Sequence, residues 1–491
     1  MKKFTGRRLC AVFAVLFLSL FPPAGGAQDA DFGFGFDGDD GGGGSASLPV
    51  SVKLGGRARG DLLAFFDDLN TFEELKKSRA GDIFDGALYF SASASNADAV
   101  INLKLGTDKG SPLALDEAFL RGYFGPVSVE AGLRKLTWGR ADSFGPLDVV
   151  NPVDYSDLSR MMKLREIKIA RPMVHGTADI GSGSRFEAVF IPGFEGHRFA
   201  SSGRWAPSVI AEDNVFFPLV NSYSGALSSL VNSYSGGLSS LVNNYYSLLL
   251  PDTGTIEHMQ AGARFTTTLG SADFGAQYFF GNLFRPSYCV GGIDAFLLNF
   301  LTALPSNPQY TGNFSLLRFR AEYNRYHQIG ADWAQVLAGF NMRAELAAHI
   351  TQDLAGDAGW VRNPFISWSF GFDRDTVWEI NVNLQCNESI RLFGDKKNNP
   401  FEISSWGNEP PVSTRLTLIL SKKFLRDNLE VTCTGIFDPE ETGFYFIPAV
   451  SWAIGEVTAD LQAGVFAGKK GGELSHYRNS GYIKTALTYS F

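Results

Sequence analysis

The sequence predicts an all-β fold, a transmembrane antiparallel β-barrel of about 16–18 strands, on three observations. Segments of alternating polar and apolar residues recur along most of the chain, each near the roughly 9–11 residues that a tilted spanning strand needs. The 491 residues include 42 Phe, 16 Tyr and 54 Gly, which suits a barrel whose apolar residues face outward. After the N-terminal region, no apolar run approaches the roughly 18 residues of a spanning helix.

Residues 481–491 form the clearest strand of this type. Leu487, Tyr489 and Phe491 fall on one face of the strand, whereas Lys484 lies on the opposite, polar face. A membrane barrel needs this pattern because lipid contacts one side of its wall and the lumen the other. A terminal Phe that closes such a strand resembles the signal by which outer-membrane barrels are recognised for assembly. The expected partners are therefore the barrel-assembly machinery and the lipid of the outer membrane.

The N-terminus has the features of a secretory signal peptide at residues 1–27. Four basic residues precede an apolar core at residues 9–21, and small residues up to Ala27 offer a cleavage site. Residues 28–48 are acidic and glycine-rich, so we expect a disordered tail there. Residues 49–491 are assigned to the barrel. The expected location is the cell outer membrane of a bacterium with two membranes.

The alternation also predicts which charged side chains face the lumen. In residues 340–349, for example, Arg343 and Glu345 share the polar face of the strand. The candidates for the lumen or a constriction are Glu130, Arg134, Arg318, Arg320, Glu322, Arg343, Glu345, Glu379 and Arg415. Opposed charges can tune the selectivity of a pore, or they can form salt bridges that stiffen a filled barrel. For single residues the structural role is favoured, whereas the whole set predicts a polar, mixed-charge lumen.

Residues 219–250 contain an 11-residue repeat that departs from the strand pattern. Its units begin at Leu219, Leu230 and Leu241. Eleven residues make about three helical turns, so equivalent positions share one helical face. An amphipathic helical insertion is predicted. A flexible, duplicated loop is the alternative, because Ser and Gly are poor helix formers.

Residues 138–154 carry the most specific motif of the chain, W-G-x-x-D-x-F-x-P-x-D-V-V-N-P-x-D. Its fixed positions are Trp138, Gly139, Asp142, Phe144, Pro146, Asp148, Val149, Val150, Asn151, Pro152 and Asp154. The motif resembles a porin-like bacterial outer-membrane family of unknown function. The resemblance implies a large outer-membrane barrel with a role in transport or lipid handling. The 11-residue repeat departs from the pattern of that family.

The motif has two interpretations. Its prolines fix turns, and the carboxylates of Asp142, Asp148 and Asp154 can accept hydrogen bonds from nearby backbone amides. The favoured interpretation is a turn scaffold that holds two strands in register. The alternative is a loop folded into the lumen as a constriction, with its carboxylates facing the permeating solute.

The sequence contains no motif for catalysis. A phosphate-binding loop, a pair of zinc histidines and a nucleophile elbow are all missing from it, so no enzyme, cofactor or metal site is predicted, and no nucleic-acid partner. The leading prediction is a porin-like channel or transporter for passive passage of small solutes. The alternatives are transport of lipids or hydrophobic compounds, and a surface-exposed structural or adhesin barrel. The oligomeric state is left open.

Overall fold

The computed structural model describes the barrel and parts of its connecting loops. The described residues are 50–66, 84–108, 111–200, 203–207, 252–291, 299, 302, 318–358, 361–394, 402–403, 411–469 and 472–491. The predicted signal peptide, the acidic tail and the repeat at residues 219–250 lie outside this described part.

The described elements are mostly strands. They are β1 (Ser51–Phe65), β2 (Phe84–Ser93), β3 (Ala97–Asp108), β4 (Ser111–Phe124), β5 (Val127–Arg134), β6 (Asp154–Tyr155), β7 (Arg171–Ile180), β8 (Ser184–Ile191), β9 (Arg198–Phe199), β10 (Gln260–Leu269), β11 (Ala272–Asn282), β12 (Ser287–Gly291), β13 (Arg318–Glu322), β14 (Arg325–Leu337), β15 (Phe340–Thr351), β16 (Phe365–Asp375), β17 (Asn381–Arg391), β18 (Glu402–Ile403), β19 (Val412–Phe424), β20 (Leu429–Asp438), β21 (Gly443–Ile454), β22 (Val457–Ala467) and β23 (Tyr482–Ser490). Short α-helices span Leu164–Ile167 and Glu473–His476, and 3-10 turns span Leu158–Arg160, Ile256–His258 and Tyr477–Asn479. Among the described residues, no helix is long and apolar enough to cross a bilayer.

Eighteen of these strands form one closed antiparallel barrel, which confirms the predicted fold class. The order around the barrel is β1, β2, β3, β4, β5, β7, β8, β10, β11, β14, β15, β16, β17, β19, β20, β21, β22 and β23. The last strand pairs with the first, so that Arg57 lies opposite Ser490. One residue further, the amide of Gly56 donates to the carbonyl of Phe491 at 2.8 Å, and the amide of Phe491 donates back at 3.0 Å. Closure leaves the 18-stranded barrel without an edge strand.

The outer wall of the barrel is apolar, as the alternation predicts. Ile329, Leu346 and Leu487 point away from the lumen with 57%, 55% and 61% of their surface exposed. Tyr489 and Phe491 lie on the same outer face at the end of the wall, with ring centroids 5.9 Å apart. Large apolar side chains exposed on strand after strand are stable in contact with lipid, so the wall is of the membrane-spanning type.

The two ends of the barrel differ in the length of their connections. At one end all connections are short, such as residues 94–96 and 455–456, and this short-turn end also holds Phe491. The other end, the long-loop end, carries every long connection, including residues 135–170 between β5 and β7. In outer-membrane barrels the short turns face the periplasm and the long loops face outside.

Four of the residues predicted for lumen-facing strand positions lie elsewhere in the structure. Strand β13, with Arg318, Arg320 and Glu322, pairs with β12 in a three-stranded sheet that is separate from the barrel sheet. A period of two identifies a two-sided strand but does not tell which sheet it joins. Glu379 lies in the turn between β16 and β17 with φ at 59°, and β17 begins at Asn381.

Candidate functional site

The loop that carries the family-type motif, residues 135–170, is folded into the lumen, and we call it the inner loop. The carbonyl of Leu147 accepts a hydrogen bond from Gln277 of β11 at 2.9 Å. The carbonyl of Ser159 accepts one from Gln462 of β22 at 3.0 Å. These strands lie on separate parts of the wall, so the loop reaches across the lumen. This position inside the lumen is the one that the constriction interpretation expects, but the three motif carboxylates are held in ion pairs and do not face a solute.

The same motif also fastens the two ends of the inner loop together. Asn151, which is 1% exposed, accepts from the amide of Leu136 at 2.8 Å and donates to the carbonyl of Arg134 at 3.0 Å. The ammonium of Lys168 forms an ion pair with Asp148 at 2.7 Å. Asn151 and Asp148 therefore perform the scaffold role, and they perform it inside the barrel.

A wall carboxylate holds the first turn of the inner loop. Glu345 of β15, which is 3% exposed, accepts hydrogen bonds from the amides of Arg140, Ala141 at 2.7 Å and Leu147 at 3.2 Å. Three backbone amides around one carboxylate form an anion-binding turn in which each bond is charge-assisted. The predicted lumen residue Glu345 is thus a docking group for the motif.

Changing Gly139 to Ala is expected to displace this docked turn. Gly139 has φ at +90°, and a methyl group there would overlap a carboxylate oxygen of Glu345. The matched control is Gly125→Ala, because Gly125 also has positive φ, at +64°, but nothing lies within 4 Å of its added methyl. Limited proteolysis of the folded protein should cleave the inner loop faster in Gly139→Ala only. Equal cleavage in both variants would contradict the docking geometry.

Charged side chains hold the same part of the loop against two further strands. The guanidinium of Arg140 pairs with Asp332 of β14 at 2.7 Å and with Asp273 of β11 at 3.2 Å. The carboxylate of Asp142 pairs with Arg343 of β15. Asp142 is a motif residue and Arg343 is a predicted lumen residue, so the structure joins the two predicted sets directly.

The far end of the inner loop is held by β1 and β2. Arg160 pairs with Asp85 at 2.7 Å, and Glu166 pairs with Arg57 at 3.0 Å. Burial opposes ionisation of Glu166, but the neighbouring Arg57 guanidinium outweighs it and holds the pKa of Glu166 below its ordinary value. The carboxylate is therefore ionised, and its ion pair intact, at neutral pH.

A buried ion-pair cluster lines the wall beside the root of the loop. Arg134 of β5 pairs with Glu130 at 2.9 Å and with Glu117 of β4 at 3.1 Å. Glu130 and Glu117 are 6% and 2% exposed. Arg121 pairs with Glu130, and the imidazole of His175 of β7 lies 3.3 Å from the Glu130 carboxylate. The predicted residues Glu130 and Arg134 thus belong to a network that joins three wall strands.

Another part of the lumen contains an apolar patch, which the prediction of a polar lumen did not include. Ile436, Tyr445, Phe466 and Tyr482 of β20 to β23 face inward and pack with Leu158 of the inner loop. The rings of Tyr445 and Phe466 stack with centroids 3.9 Å apart. Apolar side chains are stable at these inward positions because they contact the loop and each other instead of water. The lumen therefore combines charged and polar groups with one apolar patch at the long-loop ends of β20 to β23.

A cavity of about 470 Å³ remains between the inner loop and strands β16 to β22. Phe144 of the motif lines it from the loop and Arg415 of β19 from the wall. Arg415 pairs with Glu473 of the β22–β23 connection at 3.3 Å. We call this space the loop–wall cavity, and it places two further predicted residues at one site.

Other motif residues pack or close turns. Trp138 is 3% exposed and meets Phe279 of β11 edge-on, with ring centroids 6.1 Å apart. The carboxylate of Asp154 accepts from the amide of Ser156 at 3.0 Å. These two positions support the loop without facing the cavity.

Several wall residues that hold the inner loop were not singled out from the sequence. Arg264 of β10 donates to Gln277 at 2.7 Å and pairs with Asp332 at 2.6 Å. Arg264, Gln277 and Asp332 lie on the inward faces of three neighbouring strands. The alternation of polar and apolar residues in each strand was the signal that could have identified them. Their mutual contacts depend on strand register, which a single strand does not show.

The fold and the lumen together define a transmembrane β-barrel with an inner loop docked inside it. The chain belongs to the family described as "Protein of unknown function (DUF1302)", whose model matches residues 89–420, more than half of the chain. No curated protein matches the chain.

Solved structures of outer-membrane and porin proteins are similar to the chain over most of its length. Wzi of Escherichia coli, described as a carbohydrate-binding β-barrel involved in group 1 capsule assembly, is 9% identical with a TM-score of 0.45, covering 89% of this chain and 84% of its own. OccK11 (OpdR) of Pseudomonas aeruginosa is 10% identical with a TM-score of 0.45, covering 90% and 96%. OmpF of Salmonella typhi, solved with daunomycin, is 8% identical with a TM-score of 0.38, covering 90% and 97%.

Proposed function

We propose that the protein is a porin-like channel or transporter of the bacterial outer membrane that passes small solutes through a lumen narrowed by the inner loop. The observation that carries this proposal is the docking of residues 135–170 inside the barrel, with the loop–wall cavity left beside it. A lumen with a fixed internal loop restricts passage to small molecules, since the loop occupies the space that a larger solute would need.

The orientation of the barrel adds support. The long-loop end would face outside and the short-turn end the periplasm. The loop–wall cavity is lined by Glu473 and Tyr477 of the β22–β23 connection, which lies at the long-loop end. A solute arriving from outside would therefore meet the cavity before the rest of the lumen.

Liposome swelling tests the proposal. Liposomes that contain the purified, folded protein should swell in glycerol and in glucose, and should exclude the tetrasaccharide stachyose. Liposomes with heat-unfolded protein provide the control. Equal swelling rates with folded and unfolded protein would overturn the proposal. Rapid swelling in stachyose with the folded protein would show that the inner loop does not narrow the lumen.

A second candidate, transport of hydrophobic compounds, is favoured by the apolar patch in the lumen. Ile436 and Phe466 face inward beside the inner loop, where an aqueous pore would carry polar side chains. The two candidates share the same route and differ in the solute that it accepts.

A further inference from the structure

The two sides of the loop–wall cavity present apolar groups to each other. Met161 and Met162 of the inner loop line one side, and Ile419 of β19 and Ile436 of β20 line the other. Both methionines are only partly buried by the apolar cluster beneath them. A ligand with an apolar body would cover the exposed parts of the two methionines and release water from them favourably.

The charged groups around the cavity already have partners. Arg415 pairs with Glu473 at 3.3 Å. Glu441 accepts from the amide of Glu473 at 2.6 Å, and Asp438 accepts from the amide of Glu441 at 3.4 Å. An ionic ligand would have to compete with these contacts, and burying its charge without a new partner is costly. The lining also carries more carboxylates than guanidinium groups, so an anion is disfavoured, whereas a neutral ligand leaves the existing contacts in place.

Neutral polar groups remain available at the same site. The side chains of Tyr155 and Thr417 line the cavity and carry hydroxyls, which can donate to or accept from a hydroxyl or carbonyl of a ligand. The volume, about 470 Å³, falls in the range of roughly 300–1,000 Å³ that small-molecule sites occupy.

We propose that the loop–wall cavity binds uncharged amphipathic small molecules, with an apolar ring or short chain between the methionines and the isoleucines and a neutral polar group toward the hydroxyls. This proposal rests on the proposed transport function and assigns its substrate class. Methionine side chains are flexible and polarisable, so the site accepts a class of compounds instead of a single shape.

Ligand-observed NMR tests this assignment on the full-length protein in lipid nanodiscs. The probe is cyclohexanol, glycerol is the polar comparison, and empty nanodiscs give the background. Saturation transfer from the native protein to cyclohexanol should exceed the background, and glycerol should show none. The double variant Met161→Gln/Met162→Gln should bind cyclohexanol about tenfold more weakly. Met259→Gln is the matched control, because Met259 is 42% exposed and does not line the cavity.

The outcomes separate this proposal from the channel itself. Saturation transfer requires binding but no passage, so a native protein that conducts ions yet shows only background transfer would overturn the substrate class alone. Equal binding by the native protein and the double variant, both shown to be folded by heat-modifiable migration in gels, would also overturn it. Absence of conductance together with specific cyclohexanol binding would overturn the open channel and leave the site in place.

Discussion

Glu345→Ala is expected to release the first turn of the inner loop and widen the lumen. The change removes the acceptor of three backbone hydrogen bonds, from Arg140, Ala141 and Leu147. Hydrogen bonds to charged groups contribute about 1.5–3 kcal/mol each, so the docked position loses several kcal/mol. Liposomes with this variant should therefore admit stachyose, which the native protein is expected to exclude.

The control for this experiment is Glu430→Ala. Glu430 belongs to the inward face of β20, and no hydrogen bond joins it to the inner loop in the described part of the chain. This variant should exclude stachyose as the native protein does. If both alanine variants admit stachyose, loss of lumen charge and not release of the loop is the cause, and the docking account is wrong.

Arg134→Ala is expected to lower the free energy of unfolding by about 3 kcal/mol, because buried Glu117 loses its nearest cationic partner while Glu130 keeps Arg121. Glu117 and Glu130 are 2% and 6% exposed and both pair with this guanidinium. Urea unfolding of the barrel in detergent micelles measures the difference. The double variant Arg134→Ala/Glu117→Gln should recover part of the loss, because it removes the charge that has lost its partner.

The matched control is Arg185→Ala at the rim of the barrel. Arg185 pairs with Asp179 at 2.7 Å, but its side chain is 52% exposed, and such pairs contribute at most about 1 kcal/mol. If Arg134→Ala and Arg185→Ala lower the free energy of unfolding equally, the lumen cluster does not stabilise the wall.

The sequence was sufficient for the barrel and for the faces of its strands. In residues 340–349 and 481–491 the alternation places Glu345 and Lys484 inside and Leu346 and Leu487 outside, and the structure has the same faces. Successive residues of a strand face lipid and lumen in turn, so the pattern can be recognised within a single strand. For these two strands the local alternation was enough to predict which side chains face the lumen.

Contacts between distant segments were not accessible in this way. Glu345 meets the amide of Ala141 although 204 residues separate them, and Arg318 alternates like a wall residue but belongs to a separate sheet. Such contacts depend on how loops fold back and which strands pair. The motif itself was visible, whereas its wall partners were not.

The apolar patch in the lumen could not be predicted either, because it depends on a contact with the distant inner loop. Tyr445 and Phe466 face inward, while their neighbours Phe446 and Val465 face outward. Near these positions both faces of the strands are apolar, so the alternation does not distinguish inside from outside there. Only the packing of Leu158 against the inward face shows that the inner loop covers it.

Single-channel recording in a planar bilayer tests the central claim, a conducting lumen narrowed by the inner loop, most directly. The native protein should give discrete current steps, and Glu345→Ala should give larger ones at the same salt and voltage. Folded protein that gives no steps in either form would contradict a conducting lumen. Steps of equal size in both forms would contradict the inner loop as its constriction.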